Sequence, residues 1–322
     1  MTRSNRGMPV RWLRRAGITG LCAVAALWLF PRVIPHQPLR ARFPMSTAVY
    51  DAGGGLLRLT RSADDKYRVW VPLDRISPLL IDATLLQEDR YFRLHPGVNP
   101  VALARGAWRS YVVGTRREGG STITMQLARI LYGIHSSTLG GKMVQIMRAV
   151  ELELRYTKRE ILEAYLNLVP YGGNVEGAAA ASLIYFGKDP SRLTLSEALT
   201  LAVLPQNPTR RAPSAGQPGV ALRDARDVLY ARWQAAHPSL EGEAGLMQLA
   251  IRMGSPAELP FRAPHLVDAV LADGKGALEV QTTLDRRLQG LLEREIRATV
   301  AAQARLGVHN AAAMLEIGRA HV

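Results

Sequence analysis

A chain of 322 residues that is 48% hydrophobic and 21% charged can bury a full core, which excludes a disordered tail and leaves room for one large domain or two modest ones. Its net charge of +14 and pI near 10.4 call for an anionic partner. Lysine occurs only at Lys66, Lys142, Lys158, Lys188 and Lys275, and the arginines are scattered rather than run together. That pattern argues against nucleic acid and leaves anionic lipid surfaces and phosphorylated substrates.

The N-terminus carries Arg3, Arg6, Arg11, Arg14 and Arg15 ahead of an apolar run from Ala16 to Phe30, and no acidic residue precedes Asp51. Under the positive-inside rule residues 1–15 form a cytoplasmic basic tail, residues 16–34 a transmembrane signal anchor, and the body lies outside the cytoplasm. Trp12 and Trp28 suit the two interfaces. The run is short for a span, and Ala23-Val24-Ala25 offers a rival reading as a cleaved signal peptide. The lone cysteine, Cys22, sits in this stretch and excludes an intramolecular disulfide.

Pro35, Pro38 and Pro44 among basic residues mark a linker over 35–46. Thr47 to Tyr50 and Leu56 to Thr60 flank Asp51-Ala52-Gly53-Gly54-Gly55, and Tyr67 to Val71 adds a third short alternation, so a small β element is expected. From Leu79 to Leu204 the pattern is helical. Thr157 with Glu160 and Thr194 with Glu197 are capping boxes, and Pro170 and Pro205 stop the helices they open. Residues 213–277 read as a connecting region. Leu278 to Thr283 alternates like a strand, and Asp285 to Ala301 reads as an amphipathic helix.

Four clusters carry polar chemistry. Glu88-Asp89-Arg90-Tyr91-Phe92-Arg93-Leu94-His95-Pro96-Gly97 places a carboxylate among aromatic neighbours, which suits a general base; a solvated helix end with a local ion pair is the bland alternative. Gly119-Gly120-Ser121-Thr122 followed by Ile123-Thr124-Met125-Gln126 and Arg129 puts backbone N–H groups and hydroxyls at a helix start, suited to a phosphate or sugar or to ordinary N-capping. In the third cluster the spacing sets Lys142 and Gln145 on one helix face with Arg148 at its flank, while Met143 and Met147 read as core. The fourth, Lys158 to Asn167 with Tyr171-Gly172-Gly173, reads most simply as a core helix.

In order and spacing these clusters resemble the four sequence blocks of the peptidoglycan glycosyltransferase family, found in class A penicillin-binding proteins. The resemblance runs from about Thr47 to Pro208, and Thr282-Thr283-Leu284-Asp285 with Leu288-Gln289 looks like the lead-in to the transpeptidase domain of those proteins. It implies a mainly α, lysozyme-like fold with a small N-terminal β element over residues 47–212, and the start of a truncated transpeptidase domain over 278–315. The last residues, 316–322, look like a non-native tail. The resemblance implies transfer of lipid II onto a growing glycan strand with inversion and release of undecaprenyl pyrophosphate. Glu88 matches the general base; Ser121, Thr122, Gln126 and Arg129 match the donor-site block; Lys142 matches the cation that contacts pyrophosphate. Asp89, Arg90, Phe92, His95, Gly120, Arg148 and Asn167 join the expected substrate-binding set.

One departure stands out. Gln145 occupies the position of the family's second catalytic carboxylate, as in a variant branch, which puts a divalent cation such as Mg2+ in doubt as a cofactor because an amide binds metal poorly. Neither Ser-x-x-Lys nor Lys-Thr-Gly occurs, so no transpeptidase activity is expected. The expected partners are lipid II, the glycan strand, inner-membrane lipids and other cell-wall synthesis proteins, at the bacterial inner membrane. The competing readings are a non-catalytic lipid II-binding scaffold and a lysozyme-like hydrolase.

Overall fold

The computed structural model describes residues 34–111, 120–136, 138–208, 210–211, 216–238, 251–273 and 276–315. The expected signal anchor and tail fall outside them. Among the described residues no helix is long and apolar enough to cross a membrane. The described residues are mainly helical with small sheets and divide into two units, one built from those up to Pro44 and those between Trp70 and Ser255, the other from Met45 to Val69 and the described residues from Pro256 onward.

In the larger unit several helices start on caps that their sequence offers. Helix α1 (Pro78–Glu88) opens with proline at its first position and ends at Asp89, whose backbone leaves the helical region. Helix α2 (Pro100–Tyr111) follows. Thr122 caps α3 (Ile123–Tyr132) by accepting from Met125 N, and Gly133 at φ 59° ends it in the left-handed conformation. Thr138 caps α4 (Leu139–Arg155) in the same way. Both expected capping boxes form, opening α5 (Lys158–Leu168) and α7 (Leu195–Val203), with α6 (Ala178–Phe186) between them. The core of this unit is made where α3 packs on α4 and α5, and where α1 packs on α7. Ile123, Met125, Leu127, Ala128, Ile161, Tyr165 and Leu199 are all fully enclosed there.

Helix α8 (Val220–Ala236) lies in the stretch expected to be connecting region, yet it packs against α7 and α1. Its buried residues Leu222, Arg226, Leu229 and Trp233 recur at helical spacing, so this stretch is part of the larger unit's core. Arg232 reaches α1, donating to Leu86 O at 2.5 Å and to Gln87 Oε1 at 2.9 Å.

The smaller unit joins segments more than two hundred residues apart. Strand Ala48–Tyr50 pairs antiparallel with Leu56–Leu59 across the expected Asp51–Gly55 turn, and on its other side runs parallel to Glu279–Gln281. Asp51 holds the turn by accepting from Gly53 N and Gly55 N. Val49, Leu57 and Val267 form the unit's core, with Val267 and Val270 supplied by α9 (Pro264–Asp273) and Val280 by the parallel strand. Asp285 caps α10 (Arg286–Gln303), as its sequence suggests.

Candidate active site

Glu88 is the last residue of α1 and sits half-buried. Its Oε2 accepts from Gln126 Nε2 at 2.7 Å, while Oε1 has no hydrogen-bond partner among the described residues. Burial pushes the carboxyl above the usual carboxylate range. The Gln126 bond, the neighbouring Gln206 amide and the Arg211 guanidinium oppose that rise, and the charge of Asp89 adds to it. Gln126 is steadied in turn, because Tyr165 Oη donates to its Oε1 at 3.4 Å from the buried face of α5. Burial and the Glu88 charge together hold the Tyr165 phenol protonated. The result is a carboxylate with one oxygen anchored and the other enclosed without a hydrogen-bond partner among the described residues.

A cation stands on the neighbouring helix. Lys142 Nζ donates to Ser121 Oγ at 2.6 Å and to Gln145 Oε1 at 3.0 Å. Burial lowers its pKa and Arg129 lowers it further, so Arg129 is close enough to share the same field. Gln145 is only 1% exposed and donates from Nε2 to Met125 O at 2.7 Å. Gln126 and Arg129 lie three residues apart on α3, on adjoining positions of one face.

Several expected binding residues hold the scaffold together. Asp89 is buried, accepting from His95 Nε2 at 2.9 Å and from Ile123 N at 3.1 Å, so its carboxylate pins the 89–97 loop to the start of α3. Thr122 both caps α3 and donates to Gly97 O at 2.5 Å. Gly97 has φ 85°, and a Cβ there would stand 2.7 Å from Glu153 Cγ, so the loop accepts glycine alone at that point. Phe92 is buried under Lys158, whose Nζ is 4.3 Å from the ring centroid. That ammonium also donates to His95 O and to Glu153 Oε1, both at 2.7 Å, and Thr124 Oγ1 donates to the same carboxylate oxygen at 2.6 Å.

Asn167 is 0% exposed, accepts from Val71 N, and donates to Val71 O and Glu163 O, so it braces the chain. Arg148 is exposed, paired with Glu151 at 2.5 Å and lying over the Tyr132 ring at 4.7 Å. Arg90 is exposed, and Gly120 lies against the backbone of Ala102. The sequence reading missed Tyr165, Gln206 and Arg211. Tyr165 lay inside a block already noted; nothing in the local sequence marks the other two.

The residues do not fit a resident divalent cation beside Gln145. The oxygen that would serve as ligand already faces an ammonium, and among the described residues no cluster of three or more His, Cys, Asp or Glu side chains could hold a metal ion.

Residues 55–232 match the family model described as transglycosylase, which covers more than half of the chain. The chain belongs to the transglycosylase family. It is 38% identical over 289 residues to penicillin-binding protein 1C of Escherichia coli, covering 88% of this chain and 36% of that protein. Penicillin-binding protein 2D of Bacillus subtilis is 31% identical over 80% of this chain and 39% of its own length. Penicillin-binding protein 1A of Aquifex aeolicus is 32% identical over 79% of this chain and 35% of its own. This transglycosylase thus spans little more than a third of the length of these relatives. Its family match begins inside the smaller unit and ends within α8.

Proposed function

We propose that this transglycosylase chain polymerises lipid II into peptidoglycan glycan strands. The observation that carries the reading is Glu88, a half-buried carboxyl raised by desolvation, anchored through one oxygen by Gln126 and with the other enclosed and lacking a hydrogen-bond partner among the described residues. In the proposed step the unpartnered Glu88 oxygen takes the proton from the 4-hydroxyl of the acceptor sugar. The sugar oxygen attacks the anomeric carbon of the donor, and undecaprenyl pyrophosphate leaves with inversion. Lys142 and Arg129 face the charge that develops on the leaving pyrophosphate, and Ser121 holds the lysine in place. The fold supporting this chemistry is lysozyme-like, with residues 16–34 as signal anchor and the catalytic unit on the outer face of the inner membrane. Inner-membrane lipids and other cell-wall synthesis proteins complete the proposed surroundings.

Hydrolysis is less well served. Glycoside hydrolases of the common kind need two working carboxyl groups across the bond, and Asp89 beside Glu88 is already engaged by His95 and Ile123. The test is incubation of the purified, detergent-solubilised chain with labelled lipid II, separating products on a gel. A ladder of strands supports the transferase. Shortening of added strands would favour a hydrolase, and lipid II binding without polymer would favour a scaffold.

A further inference from the structure

Gln145 is enclosed, and its amide faces two partners of opposite demand. Its Oε1 accepts from the Lys142 ammonium, and its Nε2 donates to Met125 O. The orientation of the amide follows from those partners, since an ammonium needs an acceptor and a carbonyl needs a donor. Met125 belongs to the turn of α3 that also carries Gln126 on Glu88, and Arg129. One amide thus ties the donor-side cation to the turn that holds the base.

We infer that Gln145 is a positioning residue that clamps Lys142, and that the positive charge facing the leaving pyrophosphate comes from protein cations with no divalent ion at this position. The inference rests on the proposed transferase reading. A carboxylate in place of the amide has no hydrogen to give Met125 O, so it would set two acceptors against each other in a site shut off from water. Nor could a metal ion approach the Gln145 oxygen without meeting the Lys142 ammonium that already occupies it. The amide is therefore the residue this arrangement requires, and restoring an acid should damage the site.

The test uses the detergent-solubilised chain, lipid II and two variants, Gln145→Met, which keeps the volume, and Gln145→Glu. Wild-type polymerisation should be unchanged by a chelator. Both variants should lose kcat by about a hundredfold, the scale of removing one fixed transition-state contact, with KM little moved and no recovery on adding Mg2+. Thermal midpoints of both variants, read alongside, separate a positioning defect from misfolding. Mn2+ titration followed by electron paramagnetic resonance gives a readout independent of activity. Wild type and Gln145→Met should bind Mn2+ alike, and a tight Mn2+ present in wild type and lost in Gln145→Met would overturn the inference. So would a Gln145→Glu chain as active as wild type, or wild-type activity abolished by chelator and restored by Mg2+. A wild type that makes no polymer at all would sink the transferase reading, while the Mn2+ comparison would still decide the metal question.

Discussion

Replacing Asn167 with alanine separates a bracing role from a binding one. The side chain is enclosed and makes three hydrogen bonds, one accepted from Val71 N at 2.9 Å, one given to Val71 O at 2.9 Å and one given to Glu163 O at 2.8 Å. Truncation strands both backbone groups of Val71 away from water, each worth roughly 1–3 kcal/mol, and leaves a small void besides. The Glu163 carbonyl still has its helical partner and loses less. The expected destabilisation is therefore about 3–5 kcal/mol, at the upper end for a single substitution. Urea unfolding followed by circular dichroism measures it, with lipid II KM determined at a temperature where the variant is folded. The reasoning is refuted if stability falls by less than about 1 kcal/mol, or if KM rises sharply in a chain that remains as stable as wild type.

Three further outcomes follow from the same geometry. Because burial raises the Glu88 pKa in the folded chain above its unfolded value, the native state binds the proton more tightly, and stability falls as pH rises from below the unfolded pKa through the folded one. Glu88→Gln should accordingly melt higher than wild type at neutral pH while losing activity, and a lower melting temperature there would contradict the desolvation argument. Gln126→Leu removes the donor that favours ionised Glu88, so the acidic limb of the kcat against pH profile should move to higher pH; a shift to lower pH would count against the assigned bond. Lys158→Met removes the ammonium that faces the buried Glu153 carboxylate at 2.7 Å, which should cost about 3–5 kcal/mol in urea unfolding. A neutral result would contradict the reading of Lys158 as a structural counter-ion.

What the sequence made legible was local. The Thr157 and Thr194 capping boxes, the Asp51–Gly55 turn, the Glu279–Gln281 strand and the helix after Asp285 each depend on residues a few positions apart, and each formed. Glu88 and Gln126 were named from their blocks, and they meet. What a block could not reveal is which of its polar members turn inward. Asp89, Thr122 and Asn167 have the residue types of a binding site, but they also have partners across the fold, on Ile123, Gly97 and Val71, that brace it. Gln206 and Arg211 reach Glu88 from more than a hundred positions away, and the strand at Ala48 pairs with one at Glu279; neither proximity leaves a trace in local pattern. The amphipathic pattern of helix α8 is legible in its sequence, but its proline- and glycine-rich flanks give no sign that Leu222, Leu229 and Trp233 are buried in the larger unit.

The most direct measurement of the central claim is a comparison of lipid II binding with single-turnover bond formation in wild type and Glu88→Gln. If Glu88 is the base, the variant should bind lipid II as wild type does and form the glycosidic bond slower by about a thousandfold, within the range of a positioned general base. A variant that forms the bond at the wild-type rate would contradict the account.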